Sequence, residues 1–171
     1  FSPFVIAGTV VAAAVLSFVL FTRSSSTPVA ANPAERTPAA QWKLKDMNGV
    51  TITSDQFTGK VVVLDFWATW CPPCVAEIPG FVALHQEYAS RGLAIIGVSL
   101  DQQGPAVVKP FMKRLGMTYP IVMGDEAIVK AFGGIEALPT TFVIDREGKI
   151  VATHVGYVDR ETFEQEIKRL L

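Results

Sequence analysis

Cysteine is nearly absent from this chain: 171 residues hold two, both inside Trp70-Cys71-Pro72-Pro73-Cys74. That scarcity excludes a scaffold stapled by several disulfides. It also argues against a zinc site, because tetrahedral zinc needs four ligands and the remaining candidates, His85 and His154, show no second paired spacing. Excess charge is missing too. The 15 Lys and Arg are met by 16 Asp and Glu, for a net charge of -1, and they are scattered, without the basic stripe or clustered aromatics of a nucleic-acid surface. No glycine-rich phosphate loop or nucleotide fingerprint occurs. Between Phe4 and Phe21 there is neither a charge nor a proline.

That charge-free stretch is long enough to cross most of a bilayer core as a helix, and it exceeds the apolar region of about 7–15 residues usual in a signal peptide. The expectation is a single membrane anchor over residues 1–22. Cleavage after Val29-Ala30-Ala31, ahead of Asn32, is the alternative. Residues 23–40 turn to Ser, Thr, Pro, Ala and Asn and read as a flexible tether. A composition 50% hydrophobic and 18% charged suits one globular domain besides the apolar segment, placed over residues 41–171.

Within that domain, strand and helix patterns alternate. Trp42-Lys43-Leu44 and Val50-Thr51-Ile52 flank a turn at Asn48-Gly49 and read as a hairpin. Val61–Trp67 is a β-branched and aromatic run of strand length, followed by a helical pattern from Pro72 to about Ser90 and a second apolar strand, Leu93–Leu100. Pro105–Leu115 is helical, with Val107, Val108, Phe111 and Leu115 on one face, and Pro110 strains its middle unless the regular part starts near Lys109. A short strand at Ile121–Met123 and a short helix at Asp125–Phe132 follow, the helix ended by Gly133-Gly134. Thr141–Ile144 and Ile150–Gly156 form a hairpin turning at Arg146-Glu147-Gly148, and a last helix starts at Arg160 with Asp159 as its N-cap and Phe163, Ile167 and Leu170 inward. The pattern specifies an α/β domain with a mixed sheet covered on both faces.

The two cysteines sit where a strand hands over to a helix. Cys71 falls at the helix N-cap, where unpaired N–H groups and the positive end of the dipole favour a thiolate, and Cys74 lies one turn on, within reach of a disulfide. A purely structural disulfide across so short a loop would remove little unfolded-state entropy. Cys71, nearer the helix start and expected to be the exposed one, reads as the nucleophile, and Cys74 as the resolving thiol. Pro72 and Pro73 remove two backbone donors beside the sulfurs, which favours a reductant over a strong oxidant. Cys74, Glu77, Phe81, Leu84 and Tyr88 follow spacings of three and four and make one helical stripe. If it faces inward, Glu77 is a buried carboxylate able to exchange a proton with Cys74; otherwise Glu77 reaches water as an ordinary first-turn acid. Asp65 interrupts the apolar strand before Cys71 and makes a second candidate acid, coupled to the first; the alternative for it is a hydrogen-bonded acid near the sheet edge. Trp67 and Trp70 are expected to pack around the cysteine loop, His85 to lie on a helix surface and His154 in a strand.

Phe66-Trp67-Ala68-Thr69-Trp70-Cys71-Pro72-Pro73-Cys74, Pro79 and Leu138-Pro139-Thr140-Thr141-Phe142 together resemble the thioredoxin fold. Cys74-Val75-Ala76-Glu77-Ile78-Pro79, Gly97-Val98-Ser99-Leu100-Asp101 and Pro139-Thr140-Thr141-Phe142-Val143-Ile144-Asp145 are similar, more narrowly, to the TlpA/ResA/CcmG group of membrane-tethered thiol-disulfide oxidoreductases. The resemblance implies a thioredoxin fold with an N-terminal hairpin and a central βα insertion, the latter including the strand and helix between Leu93 and Leu115, all preceded by a single transmembrane helix. It implies catalysis by Cys71 and Cys74 assisted by Glu77 and Asp65, and a cis Pro139 that binds client polypeptide with Leu138, Trp70, Pro72 and Pro73. Asp65 matches the buried acid of ordinary thioredoxins, where some members of the narrower group carry a neutral residue. No cofactor beyond the dithiol and no metal are implied. The expected partners are proteins with cysteines, apocytochrome c among them, and a membrane electron donor, with the domain on the periplasmic side of a bacterial cytoplasmic membrane. Disulfide oxidase or isomerase activity, thiol peroxidase activity and non-catalytic binding of thiol proteins are the alternatives. Peroxidase activity is disfavoured by Ala68, which stands where peroxiredoxins carry Thr or Ser ahead of their cysteine.

Overall fold

Residues 36–171 are described by a computed structural model of the chain. The expected anchor over 1–22 lies outside the described residues. Among those described, no helix is long and apolar enough to cross a membrane. The elements in chain order are β1 (Thr37–Pro38), β2 (Lys43–Asp46), β3 (Thr51–Thr53), β4 (Val61–Trp67), α1 (Pro72–Tyr88), β5 (Leu93–Ser99), α2 (Pro105–Leu115), β6 (Ile121–Met123), α3 (Glu126–Ala131), β7 (Thr140–Ile144), β8 (Lys149–Val155) and α4 (Arg160–Leu170).

The eight strands form one mixed sheet in the order β1-β8-β7-β4-β5-β6-β2-β3. Central β4 runs parallel to β5 and antiparallel to β7. All seven residues of β4 are buried, because helices cover both faces, and their alternation divides the interior in two. Val61, Val63 and Trp67 face a layer built from α1, α2 and α4, through residues such as Phe81, Phe111 and Phe163. Val62, Leu64 and Phe66 face Leu44, Ile128, Phe132 and Phe142. Helix α1 is clamped to α4 by Phe81 and Phe163, whose ring centroids lie 5.0 Å apart. Burying each such ring stabilises the fold by roughly 1.5–3 kcal/mol. By the period of two, Asp65 shares the α1 face with Val63 and Trp67.

Several local features differ from the sequence expectations. Ordered structure begins upstream of Gln41: β1 pairs with β8, and Arg36 reaches Asp145 at 3.3 Å, so the end of the expected tether is part of the sheet. The first hairpin is not a two-residue Asn-Gly turn. Asn48 keeps a negative φ, only Gly49 is left-handed at 81°, and Asp46 closes a wider loop by accepting the N–H groups of Asn48 and Val50, each at 2.8 Å. Helix α2 runs unbroken from Pro105 through Pro110. Pro110 lies on the exposed side, so the carbonyl left without a donor faces water, while buried Val108 and Phe111 hold the helix to the core. Val107, expected inward, is exposed. The stretch Leu93–Leu115, expected as an insertion, divides: β5 is a central strand of the sheet, and α2 leads outward to β6 at its flank.

Candidate active site

The disulfide is set by the end of β4 and the start of α1. Cys71 is the N-cap of α1, as the spacing predicted, and its Sγ accepts the Cys74 N–H at 3.3 Å. The prolines at the first two helical positions contribute no N–H, so the Cys74 amide is the first donor the helix can offer the sulfur. Cys71 and Cys74 are joined by an S–S bond of 2.03 Å across a Cα separation of 5.3 Å. Cys71 is less open than expected: it is 4% exposed against 1% for Cys74, because the flanking Pro72 and Pro73 occupy the surface. Trp70 does not pack on the loop. It stands 64% exposed beside the disulfide, while Trp67 is fully buried in the layer below.

The loop from β4 to Cys71 is braced by a residue whose role was not read from the sequence. Asp101, 3% exposed, accepts the Thr69 N–H at 3.0 Å, the Thr69 hydroxyl at 2.5 Å and the Ser99 hydroxyl at 2.8 Å. An acid just past the end of an apolar strand, close to where the parallel neighbour ends, was the available signal.

The α1 stripe faces inward as predicted: Cys74, Glu77, Phe81, Leu84 and Tyr88 are all buried. Glu77 Oε1 accepts the Val158 N–H at 2.6 Å, whereas Oε2 is buried without a partner among the described residues. Burial pushes the Glu77 carboxyl up to about 7, opposed by the Val158 N–H and by nearby His154. Its charge therefore changes near neutral pH and not in the usual acidic range. His154 lies in β8 and bonds Glu166 of α4 at 2.9 Å. Asp65 is not near a sheet edge; it sits in the central strand, 2% exposed. Burial first, and then the negative charge of Glu77, raise its pKa well above the usual carboxylate range, against a hydrogen bond from the Thr141 hydroxyl at 3.2 Å. Two acids with raised affinity for protons thus lie in the layer behind the disulfide, each raising the cost of ionising its neighbour. The contributions of Thr141 and Val158 were not legible in the sequence, because both depend on which segments the fold brings beside the acids.

The Leu138-Pro139 peptide is cis, in the loop ahead of β7. Trp70, Cys71, Pro72, Pro73, Leu100 and Leu138 line a groove beside the disulfide. Pro139 itself is buried and its carbonyl accepts the Gly156 N–H at 2.8 Å. Among the described residues no cluster of His, Cys, Asp and Glu could hold a metal ion. Two cysteines one helical turn apart, the first at the helix N-cap, have the geometry for thiol-disulfide exchange, which passes through a mixed disulfide.

The AhpC/TSA family model matches residues 36–153. The thiol-disulfide oxidoreductase ResA of Bacillus thuringiensis subsp. konkukian is 36% identical over 134 residues, covering 77% of this chain and 76% of that protein. The chain belongs to the ResA-like thiol-disulfide oxidoreductases of the AhpC/TSA family. ResA of Bacillus subtilis is likewise 36% identical, over 72% of this chain and 68% of its own length. Among solved structures, a thiol:disulfide interchange protein of the thioredoxin family from Chlorobium tepidum superposes with a TM-score of 0.75 at 34% identity, covering 81% of this chain and 99% of that one. The activity of this ResA-like chain is thiol-disulfide exchange, and its thioredoxin-like α/β fold accords with the resemblance read from the motifs.

Proposed function

We propose that this ResA-like protein is a reductase: its dithiol, held by a membrane anchor on the periplasmic side, reduces disulfides in client proteins, the haem-binding cysteines of apocytochrome c being the expected client. The Cys71 thiolate attacks a client disulfide, forms a Cys71–client mixed disulfide and expels one client thiolate. Cys74 passes its proton to a carboxylate, Glu77 in this reading with Asp65 coupled to it, and the resulting thiolate attacks Cys71 Sγ. The second client thiolate leaves, the Cys71–Cys74 disulfide closes, and two electrons have passed to the client. An upstream dithiol reverses the sequence on this protein. Trp70, Pro72, Pro73 and Leu138 form the client-binding wall, with cis Pro139 setting the backbone of that wall.

The observation carrying the direction of electron flow is the N-terminus of α1. With prolines at its first two positions, the Cys71 sulfur receives the Cys74 N–H as its backbone donor. A thiolate so sparsely supported gains little in the reduced form, which favours the disulfide and a low potential. The bacterial setting, the anchor and the cytochrome client are supported by the family resemblance and the charge-free stretch Phe4–Phe21. Equilibration of the chain against a dithiothreitol series at neutral pH tests the direction. The expected potential is at or below about -270 mV, the thioredoxin scale, and a value near about -120 mV, that of a strong oxidant, overturns it.

A further inference from the structure

The groove beside the disulfide carries one charged side chain. Glu136 lines it together with Trp70, Leu100, Ile135 and Leu138, and no Lys, Arg or His shares the wall. Its volume of about 480 Å³ is within the range of hollows that take up a ligand. Glu136 is exposed and enters none of the ion pairs among the described residues. On the other side of Leu100 lies a second hollow, whose charged residues are Asp101, Asp125, Glu126 and Lys130. Acids outnumber bases there too, so the neighbouring surface leaves the Glu136 charge without a counterion.

The fold fixes where Glu136 stands. Gly133 and Gly134, left-handed at φ 86° and 84°, turn the chain out of α3. Further on, the Pro139 carbonyl is tied to the Gly156 N–H at 2.8 Å, and the Thr140 hydroxyl donates to the Ala137 carbonyl at 2.8 Å. Residues 135–138 are thus held between a glycine turn and the sheet, with Ile135 and Leu138 half-buried and Glu136 and Ala137 exposed. Trp70, 64% exposed, belongs to the same groove. Indole rings attract cations, Arg more often than Lys. A carboxylate and an exposed indole in one groove, with no cation of the protein's own on its wall, fit an extended segment that brings the cation itself.

We propose that Glu136 is a specificity-determining residue: with Trp70 it selects client segments that carry Lys or Arg close to the cysteine under attack. The client's ammonium or guanidinium pairs with the Glu136 carboxylate, the apolar stem of that side chain lies against Trp70, and the client sulfur is held at Cys71. A segment with an acid at that place meets a like charge and is turned away. The proposal rests on the reading of this groove as the client-binding wall. It does not depend on the direction of electron flow, because reduction and oxidation both pass through a Cys71–client mixed disulfide.

The test uses short peptides with a single cysteine flanked by Lys, by Ser or by Glu, each joined through that cysteine to 5-thio-2-nitrobenzoate and mixed with the dithiol form of the full chain. The Cys71 thiolate attacks the peptide sulfur, the peptide S–S bond breaks and coloured thionitrobenzoate leaves as the Cys71–peptide disulfide forms. Cys74 then closes the Cys71–Cys74 disulfide and expels the peptide thiol, so the protein's own dithiol supplies both electrons. The Lys peptide is expected to react faster than the Glu peptide. Glu136→Gln should lower the Lys-to-Glu rate ratio about 2- to 5-fold, the scale of one exposed ion pair, and Glu136→Lys should lower it further. The preference should fade as salt is added. Comparing ratios between proteins cancels the intrinsic reactivity of each peptide disulfide. A ratio that both substitutions leave unchanged overturns the proposal, and so does a change that moves all three peptides alike, as a merely structural role of Glu136 would. Trp70→Ala tests the wall separately: it should slow all three peptides, and unchanged rates overturn the reading of the groove as client wall, while the Glu136 ratios still decide whether that carboxylate sorts clients by charge.

Discussion

Replacing Glu77 by Gln should change how the stability of the oxidised protein depends on pH. Burial holds the Glu77 carboxyl at about 7 against an ordinary value of 4.5. The folded state thus binds the proton more tightly than the unfolded chain. The contribution is complete below the unfolded value and is lost as pH rises through the folded one. Linkage puts the loss between pH 5 and pH 8 at roughly 2–3 kcal/mol. Gln keeps an oxygen for the Val158 N–H, which Glu77 Oε1 accepts at 2.6 Å, and carries no charge at any pH, so it mimics the protonated acid. The Gln variant should be more stable by about 1 kcal/mol or less at pH 5 and by roughly 3 kcal/mol at pH 8. The gap widens somewhat because Asp65 no longer faces a neighbouring charge. Urea unfolding of the oxidised chain at several pH values measures this, as a midpoint difference on the order of 1 M at pH 8 and a fraction of that at pH 5. Stability curves that run parallel from pH 5 to pH 8 would refute the assignment of a buried, high-affinity carboxyl to Glu77.

Three further outcomes follow from the geometry. Asp101→Ala leaves the Thr69 N–H and hydroxyl and the Ser99 hydroxyl without their acceptor, and should lower stability by roughly 2–4 kcal/mol by urea unfolding while loosening the loop before Cys71; a loss under about 0.5 kcal/mol would show the brace to be idle. Gly97→Val places side-chain atoms against Trp67 and Ile121, where even a Cβ stands at 2.9 and 2.6 Å, and should cost about 1–3 kcal/mol or more with a change in the tryptophan fluorescence; an unperturbed spectrum and stability would contradict the tight approach. Cys74→Ser removes the resolving thiol, so a disulfide substrate should accumulate as a mixed disulfide on Cys71, visible by mass spectrometry, and a free, unmodified Cys71 after incubation would argue against its role as nucleophile.

Much of this protein was legible in the order of its residues because local physics set it. The β-branched run Val61–Trp67, the two cysteines one helical turn apart, the three-and-four spacing that carries Glu77 inward and the Asp159 cap each depend on a few neighbours in sequence, and the structure bears them out. The motifs around Cys71 and Pro139 sufficed for the family. What the sequence left open depended on distant segments meeting. It marked Asp65 as a conspicuous acid but not as the occupant of a central strand, since strand order is decided by which apolar faces find each other. It placed β5 in an insertion, although pairing along the whole of β4 makes it core. Pro110 read as a strain on the middle of α2 or a later start near Lys109, and the exposure of that side let the helix run on from Pro105. The proton affinity of Glu77 comes from the tertiary structure alone, because burial, the Val158 amide and His154 are supplied by segments far along the chain. Sequence determined which reactive groups are present and on which local faces they lie; only the closed sheet and its helices decided how much water reaches them, and desolvation is what turns an ordinary carboxylate into one poised near neutrality.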